Sequence, residues 1–213
     1  RMIMALSNFT GPDYINDWTR DLDQRWPERG TISECVVETL LSWSMHSDRK
    51  KMHILELGIG SGGLSEAMLT TLDSDAVQSF IGIDINPELT RHTQARLRGT
   101  GHTHIRIENT DLKTLDWMEG LAPIDAAYTF QTLHDLGGQE ALTAVYQQLF
   151  SLLTPGGLLV NADFVVPFSK DNPDKPRRFP AETHRALLTS LGFIEFKCEA
   201  SMGKMACMSV VRP

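Results

Sequence analysis

The segment HILELGIGSGGLS, residues 53–65, sets Gly58, Gly60, Gly62 and Gly63 behind an apolar run that contains one acid, Glu56. Glycines this dense let the backbone turn sharply and let another molecule come close to it. A strand feeding such a turn, with a helix behind it, aims backbone N–H groups and a helix N-terminus at one point. Phosphate, dinucleotide and sulfonium cofactors all exploit this arrangement. Gly58, Gly60 and Gly63 satisfy G-x-G-x-x-G, while Gly58, Gly60 and Gly62 satisfy G-x-G-x-G, so the loop alone leaves its ligand open. No G-K-[ST] follows, which excludes a Walker A loop. Asp84 narrows the choice, because it ends the next apolar run, 24 residues after Gly60. A carboxylate there can accept from both ribose hydroxyls and disfavours a 2′-phosphate. Its alternative is a turn or helix-capping role before NPEL.

Proton-transfer chemistry has fewer candidates. QTLHDL, residues 131–136, places His134 and Asp135 just past a fourth apolar run, and Asp163 closes a fifth. A neutral histidine there could take a proton from a hydroxyl or amine. The alternatives are a histidine packed beneath the cofactor and, for Asp163, a strand-end hydrogen bond. His184 is expected at the surface of a late helix. HTH at 102–104 could put two histidines on one strand face, but no further ligands converge on them, and no metal site is expected. CEASMGKMACM at 198–208 alternates sulfur residues in the way a core strand does.

These residues need a scaffold that brings strand ends together. Five runs, at 52–58, 79–85, 103–109, 124–130 and 157–165, read as strands, each ending near Gly, Asp or Asn. Helical patterns alternate with them. The clearest is 139–153, where Leu142, Val145, Tyr146, Leu149, Phe150 and Leu153 form one apolar face that TPGG then stops. Such alternation implies parallel βαβ units in a doubly wound α/β sheet. A helix at 180–193 and strands at 193–200 and 204–211 follow, and the short SMG link permits only an antiparallel hairpin. Residues 1–50 lie outside this rhythm. They read as two helices, the second capped by Ser33, with Trp18, Trp26 and Trp43 fitting either a lid or a homodimer interface. The expected division is a helical segment over 1–50 and a cofactor-binding domain over 51–213.

Composition bounds the function classes. The chain has 213 residues and a net charge of −7, which suits one buried domain and argues against broad nucleic-acid binding. The basic stretch KDNPDKPRR at 170–178 is diluted by Asp and Pro and reads first as a solvated loop. Three cysteines without paired spacing argue against a disulfide framework, and Cys198 and Cys207 read as buried thiols. No apolar run spans a bilayer and none resembles a signal peptide, so a cytoplasmic protein without a membrane partner is expected.

In order, ELGIGSGG, IGIDINPEL, ENTDLKTL, AAYTFQTLHDL and LTPGGLLV resemble the motifs of class I S-adenosylmethionine-dependent methyltransferases over about residues 52–165. The terminal hairpin also fits that family, whereas the first fifty residues match none of its motifs. The resemblance implies a seven-stranded sheet of order 3-2-1-4-5-7-6 with strand 7 antiparallel. It implies S-adenosylmethionine as cofactor, with Glu56 orienting the methionine end above a floor of Gly58, Gly60 and Gly62. Asp84 would take the ribose and Ile85 would pack near the adenine. Asp111, followed by Leu112, would accept from the adenine amino group, unless it merely caps a helix over LKTL. Backbone carbonyls of Phe130 and Gln131 would meet the cofactor's ammonium group. Asp111 also separates this reading from a NAD dehydrogenase. The expected reaction is methyl transfer to an O, N or C nucleophile of a small organic molecule. A protein methyltransferase and a non-catalytic S-adenosylmethionine-binding partner protein share the same motifs.

Overall fold

Apolar runs punctuated by turn residues form a seven-stranded sheet in the computed structural model, which describes residues 5–213. The helices α1 (Tyr14–Arg25) and α2 (Arg29–Met45) come first. Then β1 (Met52–Leu57), α3 (Gly63–Thr71), β2 (Val77–Asp84), α4 (Pro87–Leu97), β3 (Ile105–Asn109) and β4 (Ile124–Phe130) alternate. The chain continues through α5 (Gln139–Leu152), β5 (Leu153–Phe164), α6 (Ala181–Ser190), β6 (Ile194–Met202) and β7 (Met205–Val211). The strand order is β3-β2-β1-β4-β5-β7-β6, with β7 antiparallel to both of its neighbours. This is the doubly wound α/β sheet expected from the sequence.

Both faces are covered, so the inner strands are apolar on both sides. Ile54, Phe80, Ala126, Tyr128, Val160 and Ala162 pack beneath Ile32, Val36, Leu40 and Met68 of α2 and α3. Leu55, Leu57, Ile81, Ala127 and Leu159 pack beneath Leu142, Val145, Leu149 and Leu188 of α5 and α6. The winding reverses between β1 and β4, so their C-terminal ends open a crevice at the usual ligand position of such sheets. Asn86 fixes the start of α4 by accepting from the N–H groups of Glu88 and Leu89, with Pro87 in the first turn.

Several local expectations are corrected. β5 begins at Leu153, because the TPGG segment pairs instead of breaking: Gly156 N–H donates to Arg212 O and Arg212 N–H to Gly157 O. Ser33 does not cap α2, which starts at Arg29, and its hydroxyl bonds back to Gly30 O. His184 is buried, accommodated by the Tyr146 hydroxyl 2.7 Å from Nδ1. Cys198 is exposed while Cys207 is buried: Cys198 lies on the largely exposed edge strand β6 and Cys207 on β7, flanked by β5 and β6. His102 and His104 precede β3 instead of lying in it, and His102 Nε2 is spent on Leu69 O at 2.8 Å. LKTL after Asp111 forms turns with no helix to cap.

Candidate active site

The glycine loop leaves β1 under tight restraint. Gly58 N–H donates to Ile83 O at 2.7 Å, and Gly58 has φ +74°. A Cβ at Gly58 would collide with the Thr132 side chain, which closes the loop from the β4 side. At Gly60 the situation is reversed: φ is +54°, and nothing lies within 4 Å of where a Cβ would be. The backbone there is bare on its outer side, which suits close approach by a ligand. Gly62 ends the loop and precedes α3. Thr93 Oγ1 and Arg96 Nη1 hold the loop from α4 by donating to Gly60 O at 2.9 Å and Ser61 O at 3.2 Å.

Asp84 lies across from this bare backbone. Its Oδ2 accepts from Gly60 N–H at 3.0 Å and its Oδ1 from Asn86 N–H at 3.0 Å. Burial raises its pKa, against the lowering effect of those hydrogen bonds. Ile85, the next residue, is 63% exposed. A large apolar side chain standing free beside a fixed carboxylate suits a ligand with a ribose and a flat base. Leu112 is buried, and Asp111 Oδ1 accepts from Lys113 N–H at 2.9 Å.

Glu56 is 1% exposed on the α2–α3 side of the sheet and sits in register beside Tyr128. Ser65 Oγ donates to its Oε1 at 2.7 Å. The buried Tyr128 hydroxyl adjoins the carboxyl but meets no partner in good hydrogen-bond geometry. Burial pushes the Glu56 pKa up to about 8. An acid held neutral beneath the glycine loop becomes a strong partner for a cation brought to it. At the end of β4, Gln131 adopts φ +51°, strained backbone for a residue with a side chain. Its side chain is held by Arg29 of α2 and by Met205 Sδ, while Phe130 O accepts from Thr132 Oγ1.

The three proton-transfer candidates meet at the ends of β4 and β5. His134 Nδ1 lies 2.6 Å from Asp163 Oδ1, and His134 N–H donates to Asp163 Oδ2 at 3.0 Å. Phe164 N–H adds a third hydrogen bond to Asp163, at 2.8 Å. Burial lowers the His134 pKa, but the Asp163 charge and hydrogen bond outweigh it, and the net direction is up. Asp163 moves down: burial raises it, and His134 with the two backbone donors more than offsets that. With Nδ1–H given to Asp163, Nε2 carries the free lone pair. Asp135 is exposed at the rim, 3.3 Å from His134 Nε2 and 3.4 Å from Arg177. Asp163 makes the strand-end hydrogen bonds expected as its alternative role, and its pairing with His134 was not anticipated from the sequence.

The N-terminal helices lie against this site. Thr19 Oγ1 of α1 donates to Ser61 Oγ in the glycine loop at 3.0 Å, and the Tyr14 hydroxyl donates to Glu88 of α4 at 2.9 Å. Thr19, Arg29 and Thr132 were invisible as site residues in the sequence, because each acts through a partner distant in the chain. The composition of the loop gave no sign of them.

A sheet with this order and hairpin, a glycine loop facing an acid at the end of β2, and helices on both faces define the class I methyltransferase architecture. Residues 54–157 match the family model of a methyltransferase domain. Among solved structures, DszA carbon methyltransferase is 17% identical with TM-score 0.78, covering 98% of this chain and 60% of that one. CurJ carbon methyltransferase is 16% identical with TM-score 0.69, covering 84% and 53%. The N-methyltransferase NodS from Bradyrhizobium japonicum WM9, solved with S-adenosylhomocysteine, is 19% identical with TM-score 0.63, covering 83% and 85%. This chain thus spans between half and two thirds of the two carbon methyltransferases. No curated protein sequence matches it. Residues 54–157 thus carry the match to a methyltransferase domain, and the sheet shares the fold of these carbon and N-methyltransferases.

Proposed function

We propose that this protein transfers the methyl group of S-adenosylmethionine to a small organic acceptor whose attacking atom must first lose a proton. The observation that carries the reading is the buried His134–Asp163 pair, 2.6 Å apart at the strand ends beside the glycine loop. When bound, S-adenosylmethionine supplies a methyl group already activated as a sulfonium. Gly60 offers it bare backbone, Asp84 a carboxylate for the ribose, Ile85 an apolar surface and Asp111 an acceptor for the adenine amino group. Glu56 faces the methionine end, with the carbonyls of Phe130 and Gln131 nearby.

His134 is the base in this reading. Asp163 fixes the ring orientation and stabilises the imidazolium that forms, while Asp135 at the rim lies 3.3 Å from Nε2 and favours the same charged ring. A base is required only when the acceptor proton has a high pKa, as in a hydroxyl, an amine or a carbon acid. Carbon acids fit the names of DszA and CurJ, both carbon methyltransferases. Residues 1–50 act as a lid, a role supported by the contact of Thr19 with Ser61. Covering the loop excludes water and aligns donor with acceptor, which supplies much of the rate in a displacement of this kind. The reading is of a cytoplasmic enzyme, consistent with its three free cysteines, and its net charge of −7 offers no broad surface for nucleic acid.

The test is methyl transfer from labelled S-adenosylmethionine to a panel of hydroxyl, amine and 1,3-dicarbonyl acceptors. His134→Ala and Asp163→Asn should lower turnover by about 100-fold or more, with S-adenosylhomocysteine affinity within about threefold of wild type. Unchanged turnover in both variants would remove the base assignment. Tight cofactor binding with no transfer to any acceptor would favour the non-catalytic alternative.

A further inference from the structure

A base that takes a proton in each turnover must give it up before the next, so His134 needs a way out for that proton as well as a way in. The His134 side chain is 7% exposed, and each of its ring nitrogens faces a different carboxylate. Nδ1 faces Asp163, whose side chain is 3% exposed and already accepts from the backbone N–H groups of His134 and Phe164. A proton passed to that side stays inside the protein. Nε2 lies 3.3 Å from Asp135 Oδ1, and the Asp135 side chain is 68% exposed. One carboxylate thus touches the buried ring and stands in water.

Arg177 holds Asp135 in that place. Its Nη2 lies 3.4 Å from both the backbone O and the Oδ1 of Asp135, and its Nε lies 3.4 Å from His134 O. The same Oδ1 therefore meets the ring and the guanidinium. Arg177 belongs to segment 165–180, which forms neither helix nor strand. That segment is pinned by Trp26, stacked on Phe168 with centroids 5.1 Å apart, and by Arg178, 3.8 Å above the centre of the same ring. The charged groups facing the His134 ring are Asp163 from β5, Asp135 from the turn after β4, and Arg178, itself paired with Asp171. Of these only Asp135 is exposed. An exposed ion pair such as Asp135 with Arg177 adds little to stability, so the fold alone gives it little purpose.

We propose that Asp135 is the proton outlet of the base: the proton that His134 takes from the methyl acceptor leaves Nε2 for Asp135 Oδ1, and from there passes to water. The Nε2–H bond breaks as the Oδ1–H bond forms. The Oδ1–H bond then breaks to a water or buffer molecule, and both side chains return to their starting states. The 3.3 Å contact closes to hydrogen-bond distance by a small rotation of an exposed side chain. Because Asp135 reaches from the ring to solvent, the base resets without water being admitted to the reacting groups, where it would disturb their alignment. This inference rests on His134 being the base in the methyltransferase reading above.

Exchange of the ring protons with water, followed by NMR, tests this without an acceptor. Protein with isotope-labelled histidine is saturated with S-adenosylhomocysteine at about pH 6, and the His134 ring protons are assigned by their loss in His134→Gln. In Asp135→Asn, which keeps the shape and removes the basic oxygen, exchange of Nε2–H should slow about tenfold or more. The Nδ1 proton held by Asp163 should keep its resonance position and exchange rate, which shows the site intact. Added formate, a carboxylate small enough to reach the rim, should restore fast exchange in the variant. Equal Nε2–H exchange in the two proteins would overturn the inference. So would slowed exchange that formate does not restore, because Asp135 would then act by packing alone. Either result leaves the methyltransferase reading intact. Failure of S-adenosylhomocysteine to bind would strike at that reading instead, and the exchange comparison would then be made on the free protein.

Discussion

Glu56→Gln should change how stability depends on pH far more than it changes the fold. In the unfolded chain the Glu56 carboxyl ionises near 4.5, whereas burial beneath the glycine loop holds it to about 8. Between those values the native state keeps a proton that the unfolded state has lost, so stability falls as pH rises. The span corresponds to a loss of about 3 kcal/mol at pH 7 and about 5 kcal/mol above pH 8. Glutamine has nearly the same shape, can accept from Ser65 Oγ and does not titrate. Urea unfolding of both proteins at pH 4.5, 6, 7 and 8.5 isolates the effect, because every other titrating group is common to the two. The wild type should lose about 3 kcal/mol relative to the variant between pH 4.5 and 7. Parallel stability curves across that range would mean that Glu56 is ionised in the native protein, and burial would not govern it. A cation reaching Glu56 should also release its proton, so the enthalpy of S-adenosylmethionine binding at pH 7 should depend on the ionisation enthalpy of the buffer.

Other sites give sharper yes-or-no outcomes. Gly60→Val has room for its side chain, so the variant should fold with a loss of about 1–2 kcal/mol from the strained φ, yet bind S-adenosylhomocysteine about 100-fold more weakly by calorimetry. Asp163→Asn should cost about 3 kcal/mol near pH 6, because it leaves a buried partner unpaired. The stability that the pair contributes should fade on both flanks, as pH falls through the lowered Asp163 pKa and as it rises through the raised His134 pKa. Urea unfolding across pH 3–9 measures both limbs. In the native protein Cys198 should react with a thiol reagent, and Cys207 only after unfolding.

The parallel strands were legible because each is an apolar run ended by a residue that favours turns, and burial on both faces makes such runs continuous. β4 matched residue for residue, β1 differed by one at its end, and β2 by two at its start and one at its end. The start of β5 was hidden because Pro155, Gly156 and Gly157 carry breaker chemistry. Their actual pairing, with Arg212, involves a residue more than fifty positions away. His184 misled for a similar reason: a polar residue on an amphipathic helix reads as exposed until the Tyr146 hydroxyl that satisfies it is known. That Asp84 ends the strand beside the glycine loop and faces it was legible from spacing alone. His134 and Asp163 were visible as separate candidates, but their pairing follows from β4 and β5 being neighbours. The Trp26–Phe168–Arg178 cluster joins the first helix to an irregular segment, and no local pattern marks it.

Calorimetric titration with S-adenosylmethionine, S-adenosylhomocysteine and NAD, repeated on Asp84→Ala and Asp111→Ala, tests the central claim most directly. The first two ligands should bind, NAD should not, and both substitutions should weaken binding. A preference for NAD, or no binding of any of the three, would contradict it.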